Sequence, residues 1–193
     1  MDYKFLLQRF YSVITSPVRA WETINSGDRP LKEVRNSYLL PLACLVAVSK
    51  IAGSFFLVNR QLSFTYSLLT GINYFLLIYA VVFLSTVILK EMTYAFDLGR
   101  DFATSFRLIV YSLTPLFVCL VISNLFESLI FIDVLALYGL YIFWEGAKKM
   151  LNIPEHKKMP LLIITAVTVI VLFFVFGFAL DKITDRIYYT LFD

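Results

Sequence analysis

The sequence predicts an all-α fold: a polytopic membrane protein built as a five-transmembrane-helix bundle, with N-terminal amphipathic helices at the membrane interface. Three observations carry that prediction. Apolar runs recur at about 37–58, 66–89, 107–126, 129–144 and 161–180, lengths that suit a hydrocarbon core about 30 Å thick, with the fourth near the minimum for crossing. The 193 residues are 60% hydrophobic, where a soluble domain sits near 45–50%. A soluble core of this size could not hide them all, whereas lipid solvates outward faces directly. Charge supplies the third observation. With the N-terminus on one side and five crossings, that side collects 13 of the 17 Lys and Arg residues, and the other only Arg60, Lys182 and Arg186. Positive charge stays in the cytoplasm. The N-terminus and both basic connectors are therefore expected in the cytoplasm, and the tail outside.

Residues 1–36 form the expected cytoplasmic amphipathic segment. Leu6, Phe10, Val13 and Ile14 recur at helical spacing, with Lys4, Gln8, Arg9 and Ser12 on other faces. Ser16-Pro17 reads as an N-cap followed by proline at the first helical position. Val18, Trp21 and Ile24 line the next face, and Gly27 is a stop signal. These helices are expected to lie in the headgroup plane, with Trp21 dipping in and Arg9 and Arg19 facing phosphate. The alternative is a segment packed on the bundle's own loops. Met1 to Arg35 lacks the continuous apolar region and cleavage site of a signal peptide, so the first span is expected to be retained.

The five-span domain covers 37–180. Pro41 falls in the first turns of its first helix, where few backbone bonds are lost. The second span is long enough to tilt. Lys90 to Asp101 is polar, with Gly99 as a stop and Asp101 as the cap of the next helix. Pro115 breaks the third span and frees the carbonyl of Tyr111, which Ser112 or Thr114 can answer locally. Glu145 to Met159 is a basic connector whose Lys148 and Lys149, beside Trp144, should meet anionic headgroups or simply anchor the chain. Residues 181–193 form a short extracytoplasmic tail.

Charges inside the spans are the candidate chemistry. Lys50 lies about 12 Å below the outer end of its helix, at 1.5 Å per residue, and a central charge costs about 2.5–3.5 kcal/mol on insertion scales. Asp133 falls at similar depth and Glu127 at the outer hairpin. Together they read as a polar relay or substrate site, or else as a structural pair with Lys50 reaching outward. Tyr111-Ser-Leu-Thr-Pro115 and Tyr138-Gly-Leu-Tyr141 sit at comparable depth from the cytoplasmic face. Gly139 permits close helix approach there, giving a pocket beside the kink or only tight packing.

Other chemistry finds little support. The net charge of +3 is explained by the connectors, so no nucleic-acid partner is expected. Cys44 and Cys119 lie in apolar runs as small hydrophobes. His156 stands alone among lysines in a connector, a poor metal ligand. No phosphate loop, zinc motif or nucleophile elbow is present. Neither an enzyme, a metal nor a cofactor is expected.

Tyr111-Ser-Leu-Thr-Pro115, Leu137-Tyr-Gly-Leu-Tyr141 and the run from Gly146 through Pro154 to Lys157 resemble the bacterial branch of the Yip family, the Ypt/Rab-interacting membrane proteins. Ser16-Pro17 with Trp21 and Ile24, and Leu40-Pro41, extend the resemblance over nearly the whole chain. The Asp-Leu-Tyr-Gly-Pro motif of eukaryotic members is absent. The resemblance implies five membrane helices, a cytoplasmic N-terminus and no catalytic activity; eukaryotic members resemble adaptors for small prenylated GTPases. The expected function is that of an adaptor or organiser binding membrane lipids or an unidentified membrane or cytoplasmic protein. The rival is a small-solute or lipid transporter using Lys50, Asp133 and Glu127. A homo-oligomer would form through exposed faces of the second and fifth helices.

Overall fold

A computed structural model of the chain describes residues 3–27, 29–57, 64–99 and 101–192, and among them every regular element is helical. Helices α1 (Tyr3–Thr15) and α2 (Pro17–Ser26) precede the first long rod. That rod is built from α3 (Leu31–Val34), a π-turn (Arg35–Leu39), α4 (Leu40–Ala52) and a second π-turn (Gly53–Leu57). Pro41 lacks the N–H that an ordinary turn would use, and the helix widens just before it, with Leu40 N–H reaching back to Arg35 O. Then come α5 (Phe64–Ala95), α6 (Phe102–Ser112) and α7 (Thr114–Leu125). A 3-10 segment (Glu127–Leu137), α8 (Tyr138–Leu151) and α9 (Glu155–Phe192) complete the chain.

Local chemistry sets the boundaries. The Asp101 carboxylate accepts from the N–H groups of Ala103 and Thr104 at 3.1 and 2.8 Å, satisfying donors that a helix start leaves orphaned. Ser16 precedes Pro17 as expected but makes no side-chain cap. The break between α6 and α7 falls at Leu113, two residues before Pro115, and Leu113 N–H meets Ile109 O and Tyr111 O. Neither side chain expected to answer the Tyr111 carbonyl does so. The Ser112 hydroxyl has no partner, and Thr114 is engaged elsewhere. Asn152 ends α8 in the left-handed region at φ 46°.

Among the described residues, four helices are long and apolar enough to cross a membrane: Leu31–Phe55, Phe64–Ala95, Phe102–Leu125 and Glu155–Tyr188. The expected fourth span, 129–144, is composite instead. Its outer part is the 11-residue 3-10 segment and only its inner part is α-helix. Leu129 leaves helical φ/ψ inside that segment (φ −102°, ψ 19°), so the segment is two short helices across a kink rather than one straight rod. The return from α7 to α8 is therefore a kinked path that brings Gly139 against Ser112, not a fifth span-length helix. Arg107 donates to Arg29 O, and Lys157 to Phe96 O, at one end of the bundle. Tyr66 donates to Asp185 at the other. Residues 181–192 continue α9 as helix rather than forming a separate tail.

The N-terminal pair departs from its expected attitude. Tyr138 donates to Ile14 O, Trp21 to Ile142 O, and Asn25 to Lys149 O. Residues 14–25 therefore run alongside 138–149 in the same direction. Helix α2 stands parallel to α8 rather than across the end of the bundle. Arg9 donates to Ala20 O, so α1 folds back against α2 as a hairpin. The amphipathic pattern was read correctly as helix, but its apolar face meets protein.

Candidate functional site

The centre of the fold is a stack of three aromatic rings from three elements. Trp21 is wholly buried, with its Nε1 2.9 Å from Ile142 O. Its ring lies edge-on to Tyr111 at 5.9 Å, and Tyr111 lies edge-on to Tyr38 at 4.9 Å. The Tyr38 hydroxyl shares a 2.8 Å hydrogen bond with the Thr114 hydroxyl. The polar tips of Trp21 and Tyr38 are thus satisfied inside an apolar cluster, as burial of Trp and Tyr requires. Gly146 makes room for the indole: a Cβ there would stand 2.5 Å from Trp21 Cζ2 and 2.8 Å from Leu108 Cδ2.

The two motifs of the third and fourth passes meet. Gly139 lies against the carbonyl oxygen of Ser112, so closely that any Cβ would overlap it. Tyr138 reaches across to α1, and Tyr141 is exposed beside it, ring centroids 5.7 Å apart. Tyr111, Thr114, Pro115 and Gly139 hold helices together.

On the far side of this contact, α6, α7, α8, the 3-10 segment and α9 line an open cleft of about 250 Å³, with Leu137 and Ile170 exposed at its rim. Its walls are apolar side chains such as Ile109, Leu116, Phe143 and Val169, interrupted by Ser112, Asp133 and Thr165. Thr165 returns its hydroxyl to Leu161 O. Ser112 Oγ and Asp133 Oδ1 are buried without any hydrogen-bond partner.

Two members of the expected polar trio, Lys50 and Asp133, are not paired. Lys50 Nζ lies 4.8 Å from the Tyr74 ring centre. No ion pair joins Lys50 to Asp133 among the described residues. Asp133 belongs to the cleft on the other side of α7. The side chain of Glu127 lies outside the described set, as does Arg60.

The residues expected at lipid headgroups are largely engaged by protein. Trp21 is internal. Arg9 is half-buried, over the rings of Phe5 and Tyr111 at 5.6 and 6.0 Å. Lys148 pairs with Glu145 at 2.8 Å and covers Trp144, while Lys149 pairs with Glu22 at 2.8 Å. Hydrogen bonding and charge from Lys149 hold the Glu22 carboxyl below its ordinary range. Arg19 is exposed.

Sequence reasoning missed Tyr38 and Asn73. Asn73 donates to Leu180 O at 2.9 Å and to the Thr184 hydroxyl, tying α5 to α9. An amide inside an otherwise uncharged apolar run was the available signal. Among the described residues, no three metal-ligating side chains come together.

In comparison with known proteins, residues 11–177 match the family model described as the Yip1 domain. No curated protein and no solved structure matches the chain.

Proposed function

The chain belongs to the Yip family of membrane proteins, and from that premise we propose that it is a non-enzymatic membrane adaptor, docking a protein partner on the α1–α2 hairpin. One observation carries the reading. The hairpin is fixed to the bundle through Trp21, yet it turns Leu7 and Tyr11 outward, at 64% and 70% exposure, with Val18 and Arg19 also exposed. Large apolar side chains held on a rigid support beside a positive charge are the usual makings of a recognition surface. Separation of Lys50 from Asp133 leaves no charged relay between them, which favours binding over conduction along that route.

In this reading the protein is integral to a bacterial cytoplasmic membrane, with the basic end of the bundle in the cytoplasm, the hairpin running from that end along α8 as far as Tyr138, and the end of α9 outside. The gathering of Arg29, Arg107, Lys149 and Lys157 at one end supports that orientation. Transport is the second reading. It is favoured by the cleft that holds Asp133.

Photo-cross-linking residues placed at Leu7, Tyr11 and Val18 in native membranes test the adaptor. The expected result is one discrete protein adduct at these three positions and none at Phe174, on the exposed face of α9. The same partner should be lost when Tyr11 and Leu7 become Ser. Lipid adducts alone at all four positions would refute the reading.

A further inference from the structure

We propose that the junction of α1, α6 and the segment leading into α3 is a binding site for a phosphomonoester, held between the guanidinium groups of Arg9 and Arg29. The site goes beyond the adaptor reading and does not depend on it, since the docking surface proposed there uses Leu7, Tyr11 and Val18.

The fold brings arginines from three elements to one place. Arg9 Cζ stands 5.6 Å from the centre of the Phe5 ring and 6.0 Å from that of Tyr111. Arg29 Cζ stands 4.1 Å from the same Phe5 centre, and Phe5 itself is buried. Arg107, on α6, donates to Arg29 O at 2.6 Å and so fixes the backbone from which the Arg29 side chain projects. Because Arg9 and Arg29 share one ring, their guanidinium carbons are no more than about 10 Å apart. A phosphate held from two sides at N···O distances of about 2.8 Å separates such carbons by roughly 8–9 Å. The two figures agree to within a side-chain rotation.

Charge balance calls for the ligand. All three arginines are half-buried, and among the described residues only Arg29 has an ion-pair partner, Glu33. Arg9 reaches Ala20 O at a long 3.4 Å. The Arg107 charge reaches the Asp101 carboxyl, but the hydrogen bonds of the α6 cap occupy that group. Aromatic faces steady a cation without neutralising it. The charges of Arg9 and Arg107 are thus left without an ion-pair partner among the described residues, where water is partly excluded, and that arrangement favours capture of an anion.

The kind of anion follows from the geometry. A carboxylate has two coplanar oxygens and is satisfied by one guanidinium fork, whereas a phosphate offers oxygens in several directions and suits arginines arriving from different sides. A monoester carries about −1.5 to −2 near neutral pH, close to the two charges left over; a diester, with a single negative charge, leaves one of them unmet. Glu33 occupies one amine of Arg29 and leaves its other donors free. As a like charge beside the site it opposes the ligand, so its removal should strengthen binding. The junction lies at the end of the bundle that carries Arg107 and Lys157, where a phosphate can come from a lipid head or from solution.

The test uses the full chain in detergent micelles titrated with phosphatidate, phosphatidylglycerol and phosphatidylcholine of equal chain length, with bound lipid counted by native mass spectrometry. Phosphatidate should bind at least about tenfold more tightly than phosphatidylglycerol, as an added charge-assisted bond would give, and phosphatidylcholine more weakly than either. Arg9→Gln should bring phosphatidate down to the phosphatidylglycerol level. Arg19→Gln, which removes an exposed charge from the neighbouring helix, should leave phosphatidate binding unchanged. Glu33→Gln should tighten phosphatidate by about threefold, a gain that damage to the fold cannot imitate, and it decides the matter if Arg9→Gln does not fold. Glycerol 3-phosphate then separates the sources: displacement of phosphatidate assigns the site to soluble phosphomonoesters as well, and no displacement by a large molar excess assigns it to lipid. Phosphatidate binding no tighter than phosphatidylglycerol, equal losses from Arg9→Gln and Arg19→Gln, or weaker binding in Glu33→Gln overturns the proposal.

Discussion

Gly146→Ala is the most direct test of how the N-terminal hairpin is held. In an isolated helix this change stabilises by about 0.5–1 kcal/mol, because alanine loses less backbone freedom. Here the added methyl would stand 2.5 Å from Trp21 Cζ2 and 2.8 Å from Leu108 Cδ2. Neither neighbour has room, since Trp21 and Leu108 are both fully buried. Overpacking of a tight core costs about 1–3 kcal/mol, so a net loss of about 1–2 kcal/mol is expected. Trp21→Ala removes the ring and its bond to Ile142 O, at a cost of about 3–5 kcal/mol. With the indole gone, the methyl fits and Leu108 can move aside. Gly146→Ala should then recover about 0.5–1 kcal/mol in the Trp21→Ala background.

The sign of one substitution thus reverses with the state of a residue 125 positions away, a coupling of about 2 kcal/mol. Unfolding in mixed micelles, followed by far-UV circular dichroism so that loss of an indole does not disturb the signal, measures all four proteins. If Gly146→Ala stabilised the wild-type background, or shifted both backgrounds equally, α2 would not be seated on α8. The headgroup-plane attitude would then be restored.

Two further outcomes follow from single contacts. Asn73→Leu keeps the volume but removes the bonds to Leu180 O and Thr184; it should cost about 1 kcal/mol in the same unfolding assay, with Thr184→Val adding little on top. Burial pushes the Asp101 carboxyl up, but hydrogen bonds from the Thr104 hydroxyl and from the Thr104 and Ala103 N–H groups outweigh it and hold the group below its ordinary value. Its stabilisation is therefore present above about pH 4 and lost as pH falls through the depressed value. Asp101→Ala should cost about 1 kcal/mol at neutral pH, and Asp101→Asn should keep most of the cap while flattening that acid limb of the stability profile.

What could be read from the sequence and what could not divides along a physical line. Hydropathy and caps report position along a helix axis. The apolar runs at 66–89 and 161–180 lie inside the longer helices Phe64–Ala95 and Glu155–Phe192, while the Asp101 cap and the break just before Pro115 fall where local chemistry puts them. Winding is not encoded in the same way. A run such as Glu127–Leu137 is apolar in any register, so the 3-10 turns that lengthen it went unseen. Azimuth is harder still, because each residue turns a helix by about 100° and a small error in axial rotation changes the neighbour.

Lys50 and Asp133 were matched by depth alone, and depth cannot tell that one turns toward α5 and the other into the cleft beside α9. Trp21 failed for a related reason. Its periodicity showed that it faces something apolar, and lipid and protein satisfy that equally. The distinguishing signal was Gly146, a missing side chain in another helix that becomes meaningful only when the two are brought together. Polar atoms are more informative than apolar ones here, because each demands a specific partner. Among the described residues, the buried oxygens of Ser67, Ser85, Ser112 and Asp133 are the ones whose demand the chain itself leaves unmet.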